Sequence, residues 1–324
     1  MALTLAAFGL NVPQSLGYLW EGAGGDWISV GRTLSKATPL CLAGLGIVIA
    51  WRAGMYNIGG EGQYVFGGIG GAACAKLFSG MFAPALSPVI LFCGALFGAA
   101  LGALAGWLHV KRGVQVVIST ILMNFLALLT LEWLLRGPLQ ESKKQIFVTD
   151  ELPETVRLMR FDRQSDLHTG VFIALACVAV VWIYLRFTES GFKLRVVGES
   201  PSAARANKIG VGKIQIQAMA MSGGLCGLAG AVDYAGLTGR LADGFAQNWG
   251  FIAIPVALLG GLNPWGTLAS ALYFGGLFAG SDNLKRFTPI GNSLVPAVQG
   301  VAVLAFIGLN YWYSKRLQRQ AEGE

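Results

Sequence analysis

Uncharged apolar runs alternate with short charged clusters along this chain. The runs fall at Leu77–Val110, Gly113–Leu131, Leu167–Leu185, Ile214–Val232, Gly244–Ser281 and Phe287–Ser314, with a shorter one at Ala37–Trp51. A helix needs roughly 20 residues to cross a hydrocarbon core of about 30 Å, and most of these runs reach that length. Two exceed it. Gly244–Ser281 has 38 residues, which would make a rod of roughly 57 Å at ~1.5 Å per residue. The Asn-Pro turn signal in GLNPWG, Gly261–Gly266, divides it into two short spans joined by a tight turn. Leu77–Val110 divides near Pro84 and Pro88, leaving Ala85–Val110 as a span and Met81–Pro88 as the loop before it. At the N-terminus, ALTLAAFGL offers nine residues before Asn11 and Pro13, too few to span, and lacks the basic region and cleavage site of a signal peptide. The pattern therefore predicts an all-α fold: a polytopic membrane helix bundle of about nine to ten spans, the first truncated or partial, in one integral membrane domain over residues 1–324.

Two polar stretches are longer than a turn. Arg136–Asp166 holds six basic and six acidic residues and reads as a large loop with some helix, whereas Phe187–Lys213 holds five Lys/Arg against two Glu. One span, Leu167–Leu185, separates them, so they lie on opposite sides. Lys/Arg excess normally marks the cytoplasmic side, but the 24 basic residues divide 12 and 12, leaving the orientation open on charge alone. Within the second stretch, GESPSAARANKIG has the grammar of a short helix. Ser200 can cap the first free amides, Pro201 suits the first helical position, and Gly210 can take the left-handed closing conformation. Such a helix is either an ordinary surface element or one that docks in a groove of a soluble partner.

The segment MYNIGGEGQYVFGG, Met55–Gly68, places Asn57, Glu61 and Gln63 among glycines. Glu61 has 14 uncharged residues after it and eight before it. A charge held at such depth costs a few kcal/mol unless it is paired, faces a cavity or serves a function. Glycines 59, 60, 62, 67 and 68 weaken a helix by ~1 kcal/mol each and let other helices approach closely. The combination predicts a broken or closely packed helix whose unwound backbone lines a water-filled or substrate-filled space. A partial echo, Asn57–Gly71 against Asn248–Gly261, opens with Asn-x-Gly and closes on paired glycines, as in transporters built from internal repeats. Asn124 lies mid-span and either faces the same space or bonds a neighbouring helix. Glu132, Asp233 and His109 fall near span ends, where hydration is cheap; Gln299 is a further intramembrane polar residue.

Composition agrees with a membrane protein: 54% hydrophobic and 13% charged residues, with mean hydropathy +0.57. The formal charge of +7 suits a protein beside anionic lipid, and without basic stripes interleaved with aromatics it does not argue for nucleic acid. Cys41, Cys74, Cys93, Cys177 and Cys226 lack CxxC spacing and read as small buried hydrophobes. The two histidines, His109 and His168, lie at ends of separate spans, so no metal set or catalytic triad can be assembled. There is no G-x-x-x-x-G-K-[ST], so the chain does not bind a nucleotide through a P-loop. An ion-coupled secondary transporter of a small polar solute explains the glycine-broken span equally well, though not a docking helix.

Taken together, RAGMYNIGGEGQYVFGG, VVGESPSAARANKIGV, MSGGLCGLAGAVDYAG and AIPVALLGGLNPWG resemble the permease subunits of bacterial ABC importers for nucleosides and simple sugars, close to the branched-chain amino acid and ribose permeases. The resemblance runs from about Gly31 to Trp312, and the NIGGEGQ form is similar to the larger of the two paired permeases. It implies a multi-pass permease of the bacterial cytoplasmic (inner) membrane that is not an enzyme. The implied partners are a second homologous permease, an ABC ATPase subunit that binds ATP and Mg, and a substrate-binding lipoprotein or periplasmic protein; this chain holds no cofactor. It places residues 137–167 outside as an extracytoplasmic loop and 189–213 in the cytoplasm as the coupling loop, with Ser200, Pro201, Ala203, Ala204 and Arg205 meeting the ATPase. Asn57, Glu61, Gln63, Asn124 and Asn248 are the implied substrate-pathway residues: Asn57 and Gln63 line the path, and Glu61 anchors the unwound backbone. Two departures from the resemblance are the short first span and Ile252, where relatives often carry Asp or Thr.

Overall fold

The computed structural model describes residues 11–161 and 164–287, together with 300, 301, 304 and 308. The partial first span, Gln299 and nearly all of the final run Phe287–Ser314 lie outside these residues. Helix α1 (Val12–Trp20) is capped by Asn11, and a π turn (Glu21–Gly25) leads to α2 (Trp27–Arg52), capped by Asp26, whose carboxylate accepts from the Ser29 amide at 2.6 Å. Helices α3 (Gly60–Leu77), α4 (Ala83–Arg112), α5 (Val116–Leu135) and α6 (Gly170–Phe187) follow, then the short α7 (Glu189–Glu199) and α8 (Pro201–Ala206). The chain closes with α9 (Val211–Asp233), a second π turn (Tyr234–Thr238), α10 (Trp249–Leu259) and α11 (Pro264–Phe287). Helices α2, α4, α5 and α6 are long and apolar enough to cross a membrane, and the only bridge among the described residues outside helices is Arg160–His168.

Helix α2 is the centre of the bundle: every residue from Ala37 to Ala50 is buried. By contrast α5 and α6 expose large apolar side chains, among them Leu122, Phe125, Leu129, Phe172 and Val180, the surface expected to face lipid. Between these extremes, α3, α4 and α9 cross at a node of glycines. A Cβ on Gly227 would fall 2.4 Å from the Gly94 carbonyl oxygen and 2.8 Å from the Gly98 Cα, and one on Gly67 would fall 2.0 Å from the Gly227 carbonyl oxygen. Helix association in lipid relies on close packing rather than on water exclusion, so backbone approach of this kind is what holds the three helices together.

The expected turn in GLNPWG is present, with Asn263 accepting from the Trp265 amide at 3.0 Å as α11 begins. Three local expectations are corrected. Residues 83–88 are helical rather than loop, because Pro84 sits in the first turn of α4, where a missing N–H costs nothing, and Pro88 removes only a single bond. Residues 136–166 hold no helix among those described. Their amides instead reach the segment after α9: Thr149, Leu152 and Leu158 donate to the carbonyls of Leu241, Gly239 and Ala235 at 3.0, 2.8 and 2.9 Å. His168 fixes the return to α6 by accepting from the Gly170 amide through Nδ1 at 3.0 Å, and burial, with Arg160 nearby, pushes its pKa down to about 4 and keeps the ring neutral. Finally, residues 189–199 form α7 instead of loop, started by Thr188, whose hydroxyl caps the Gly191 amide at 3.0 Å. Of the cysteines, Cys41, Cys74 and Cys226 are buried, Cys93 and Cys177 only half-buried, and all are free thiols.

Gly227→Leu should separate α9 from α3 and α4. Overpacking costs roughly 1–3 kcal/mol or more, so the purified variant is expected to unfold at a clearly lower temperature in detergent, while Leu122→Ala on the exposed face of α5 unfolds with the unsubstituted protein. Equal unfolding temperatures for Gly227→Leu and the parent would exclude the node as a packing constraint.

Candidate functional site

The backbone leaves helical geometry after Arg52, with Gly54 at φ 73°, and does not resume it until Gly60. Unpaired backbone polar groups inside a bilayer cost several kcal/mol each, and here side chains supply the partners. Thr120 and Asn124, one turn apart on α5, bracket the segment. The Ile58 amide donates to Thr120 Oγ1 at 3.3 Å, Asn124 Nδ2 donates to the Ile58 carbonyl at 2.9 Å, and the Gly62 amide donates to Asn124 Oδ1 at 2.7 Å. Asn57 Oδ1 accepts from the Gly59 amide at 2.8 Å. Its Nδ2 donates to Gln63 Oε1 at 2.8 Å and to Ser222 Oγ on α9 at 2.9 Å, and Gln63 Nε2 returns a bond to Asn57 Oδ1 at 3.3 Å. Asn57, Gln63, Asn124, Thr120 and Ser222 are all buried. Of the residues expected at the pathway, Asn57 and Gln63 therefore meet directly, and Asn124 holds the same segment from the opposite side.

Glu61 joins this segment to the second broken one. Residues 239–248 carry left-handed backbone at Gly239, Gly244, Gln247 and Asn248 before α10 begins. The Glu61 carboxylate accepts from the Asn248 amide through Oε1 at 2.9 Å and from the Gly250 amide through Oε2 at 2.7 Å. It therefore sits in the first turn of α3 and at the start of α10, where the positive ends of two helix dipoles favour an anion. The two starts touch through backbone: a Cβ on Gly250 would lie 2.1 Å from the Glu61 nitrogen. Asn248 contributes its amide; its side chain is exposed. The two stretches paired by the sequence echo thus meet at their N-terminal ends.

Sequence reasoning placed Asp233 at a hydrated span end. The structure buries it at the end of α9, where Oδ2 accepts from the Tyr64 hydroxyl at 2.6 Å. Tyr64 follows Gln63, so this pair adjoins the amide cluster. Glu132 is exposed and bonded to Arg136, and His109 Nδ1 lies 2.9 Å from the Val114 carbonyl oxygen at the end of α4, both as expected of span ends. Thr120, Ser222 and Tyr64 were missed because each is an ordinary residue in an apolar helix; only their partners, at least 62 residues away in sequence, make them part of the site.

The second group of candidates lies together on α8. Ser200 Oγ accepts from the Ala203 amide at 3.3 Å, Pro201 occupies the first turn, Ala204 is buried against Val197 and Val211, and Ala203 and Arg205 are exposed. Lys208, at φ 58°, takes the left-handed closing position expected of Gly210, whose φ is −74°. This group is not adjacent to Asn57, but α7 links the two. A Cβ on Gly198 would lie 2.1 Å from the Arg52 carbonyl oxygen, and Gly198 also touches Gly54, where the unwound segment starts.

The family model described as the permease component of the branched-chain amino acid transport system matches residues 29–307. Among similar proteins, the glucose ABC transporter permease protein TsgB13 of Haloferax volcanii is 27% identical, covering 97% of this chain and 85% of the relative. The guanosine ABC transporter permease protein NupP of Bacillus subtilis is 31% identical, covering 96% of this chain and 89% of the relative. A second guanosine permease protein of the same organism, NupQ, is 30% identical, covering 76% of this chain and 80% of the relative. No solved structure matches.

Glu61→Gln keeps one oxygen for one of the two α10 amides and removes the charge between the helix starts. The loss of a charge-assisted bond of this kind is about 1.5–3 kcal/mol, so the variant is expected to unfold at a lower temperature and Glu61→Ala lower still. If both unfold with the parent, the carboxylate does not hold the two segments together.

Proposed function

The chain belongs to the permease family of the branched-chain amino acid transport system, and from this membership we propose that it forms the pathway for a nucleoside or simple sugar in an ATP-driven importer. It is a multi-pass membrane protein and a transport subunit. The printed names of its relatives, guanosine and glucose permeases, support the cargo class. The presence of both NupP and NupQ in one organism supports pairing with a second, homologous permease. The ATPase that would bind ATP and Mg is a separate subunit, and a binding lipoprotein or periplasmic protein would deliver the cargo to a bacterial inner membrane. In this reading residues 137–167 face outward and 189–213 face the cytoplasm.

The observation that carries the proposal is the chain of contact from α8 through Gly198 to Gly54 and the unwound segment. Movement imposed on α8 by an ATPase would reach Asn57 through backbone, without an intervening flexible side chain. The amides of Asn57 and Gln63 are bonded to each other, and an amide can exchange such a bond for a hydroxyl of ribose or of a sugar at little net cost. Ser222 and Asn124 are placed to support that exchange. Ion coupling is not needed for this cycle, because ATP binding in the partner supplies the bias between inward and outward states.

The test is uptake by proteoliposomes holding the whole complex. Accumulation should require ATP and the ATPase subunits and should survive an uncoupler; uptake that persists without the ATPase and collapses with the uncoupler would replace this reading with an ion-coupled one. Within the same assay, Arg205→Glu is expected to leave the complex assembled while uptake per ATP hydrolysed falls at least tenfold, and unchanged coupling would remove α8 from the docking role. Asn57→Leu should lower uptake by about tenfold or more, corresponding to ~1.4 kcal/mol or more at the transport step, with assembly retained. Undiminished uptake would take Asn57 out of the pathway.

A further inference from the structure

At the end of the bundle that carries α7 and α8, a cavity of about 370 Å³ opens between the last turn of α6, α7 and the first turns of α9. Lys193, Lys208 and Lys213 line it together with Tyr184, Asn207 and Gln217. Glu189 is bonded to Lys193 Nζ at 2.5 Å, but among the described residues neither Lys208 nor Lys213 has a carboxylate partner. Cations gathered in a concave site repel one another, and uncharged donors beside them add to the positive potential. Lys208 moreover occupies a left-handed backbone position, φ 58°, that glycine would take without strain. The lining also includes Ile209 and Ile214, each following one of the lysines in sequence.

The depth of this cavity is marked by aromatic residues. Tyr184 follows Trp182 by two residues on α6, and the Trp182 ring packs edge-on against Phe187 at 5.2 Å and Trp265 at 6.4 Å. Phe187, Phe192 and Trp265 are exposed. Aromatic side chains at the ends of spanning helices mark the level of the lipid headgroups, so the lysines sit where a phosphate ester would lie. A lysine cluster that served only to orient the chain needs no cavity.

We propose that this cavity binds the phosphate group of an anionic phospholipid, with Lys208 and Lys213 holding the phosphate and Ile209 and Ile214 beside the glycerol. Lys208 closes α8, so the bound lipid would fix the end of that helix to the membrane surface.

The test uses the assembled complex in nanodiscs of phosphatidylcholine containing a minority of phosphatidylglycerol, followed by mild detergent extraction and mass spectrometry of the retained lipid. The parent complex should be enriched in phosphatidylglycerol, and Lys208→Gln with Lys213→Gln should reduce that enrichment by roughly fivefold per lysine at low salt. Both lysines are exposed, so assembly, checked by gel filtration, should be unchanged. No enrichment in the parent, or equal enrichment in the double variant, would overturn the proposal. Protection from thermal unfolding by inorganic phosphate alone, abolished by the same substitutions, would overturn the lipid source and leave a soluble phosphate as the ligand. Loss of the ATPase subunit from the double variant with lipid retention intact would overturn it in favour of a protein contact.

Discussion

An unwound backbone inside a low-dielectric bundle must have its polar groups bonded by the protein itself, and this requirement organises the middle of the molecule. The amides of Ile58, Gly59 and Gly62 are bonded by Thr120, Asn57 and Asn124. Most of the buried polar residues near the centre are accounted for by that duty. Glu61 extends it to the second interrupted segment, where two amides at the start of α10 would otherwise be orphaned. Because a carboxylate is favoured by both helix starts, one charge stabilises two breaks, and each break holds the other's geometry.

Around this polar centre the packing differs sharply by helix. Helix α2 is enclosed, while α5 and α6 present apolar side chains outward. The glycines of α3, α4 and α9 let backbones meet where side chains would keep them apart, which leaves the node without rotamer freedom to absorb motion. Any relative movement therefore falls to the segments between helices, 53–59 and 239–248.

Much of this was legible in the sequence. Runs of uncharged residues located α5, α6 and α9, because a span is a property of composition over some twenty residues. The Asn-Pro turn at Asn263 was legible because its signal is local. Asn57, Glu61 and Gln63 stood out as polar residues in an apolar, glycine-rich setting. What could not be read depended on distant partners. The Tyr64–Asp233 bond joins residues separated by 169 positions, and Asp233 looked hydrated only because its burial is created by the fold. Residues 136–166 were read as partly helical from their own composition, yet their amides are satisfied by carbonyls after α9. The left-handed position at Lys208 escaped for the opposite reason: glycine at 210 was the better local candidate, and tertiary contacts of Ala204 set the closing residue two positions earlier.

The contact of Gly198 on the Arg52 carbonyl has a consequence for how stress would travel through the subunit. With bare main chain on both sides there is no compliant spacer at that joint, so a tilt of the surface helices and a shift of the interrupted strand of backbone cannot occur out of phase. The joint is a rigid knuckle, and a methyl group inserted there would have to push the two segments apart.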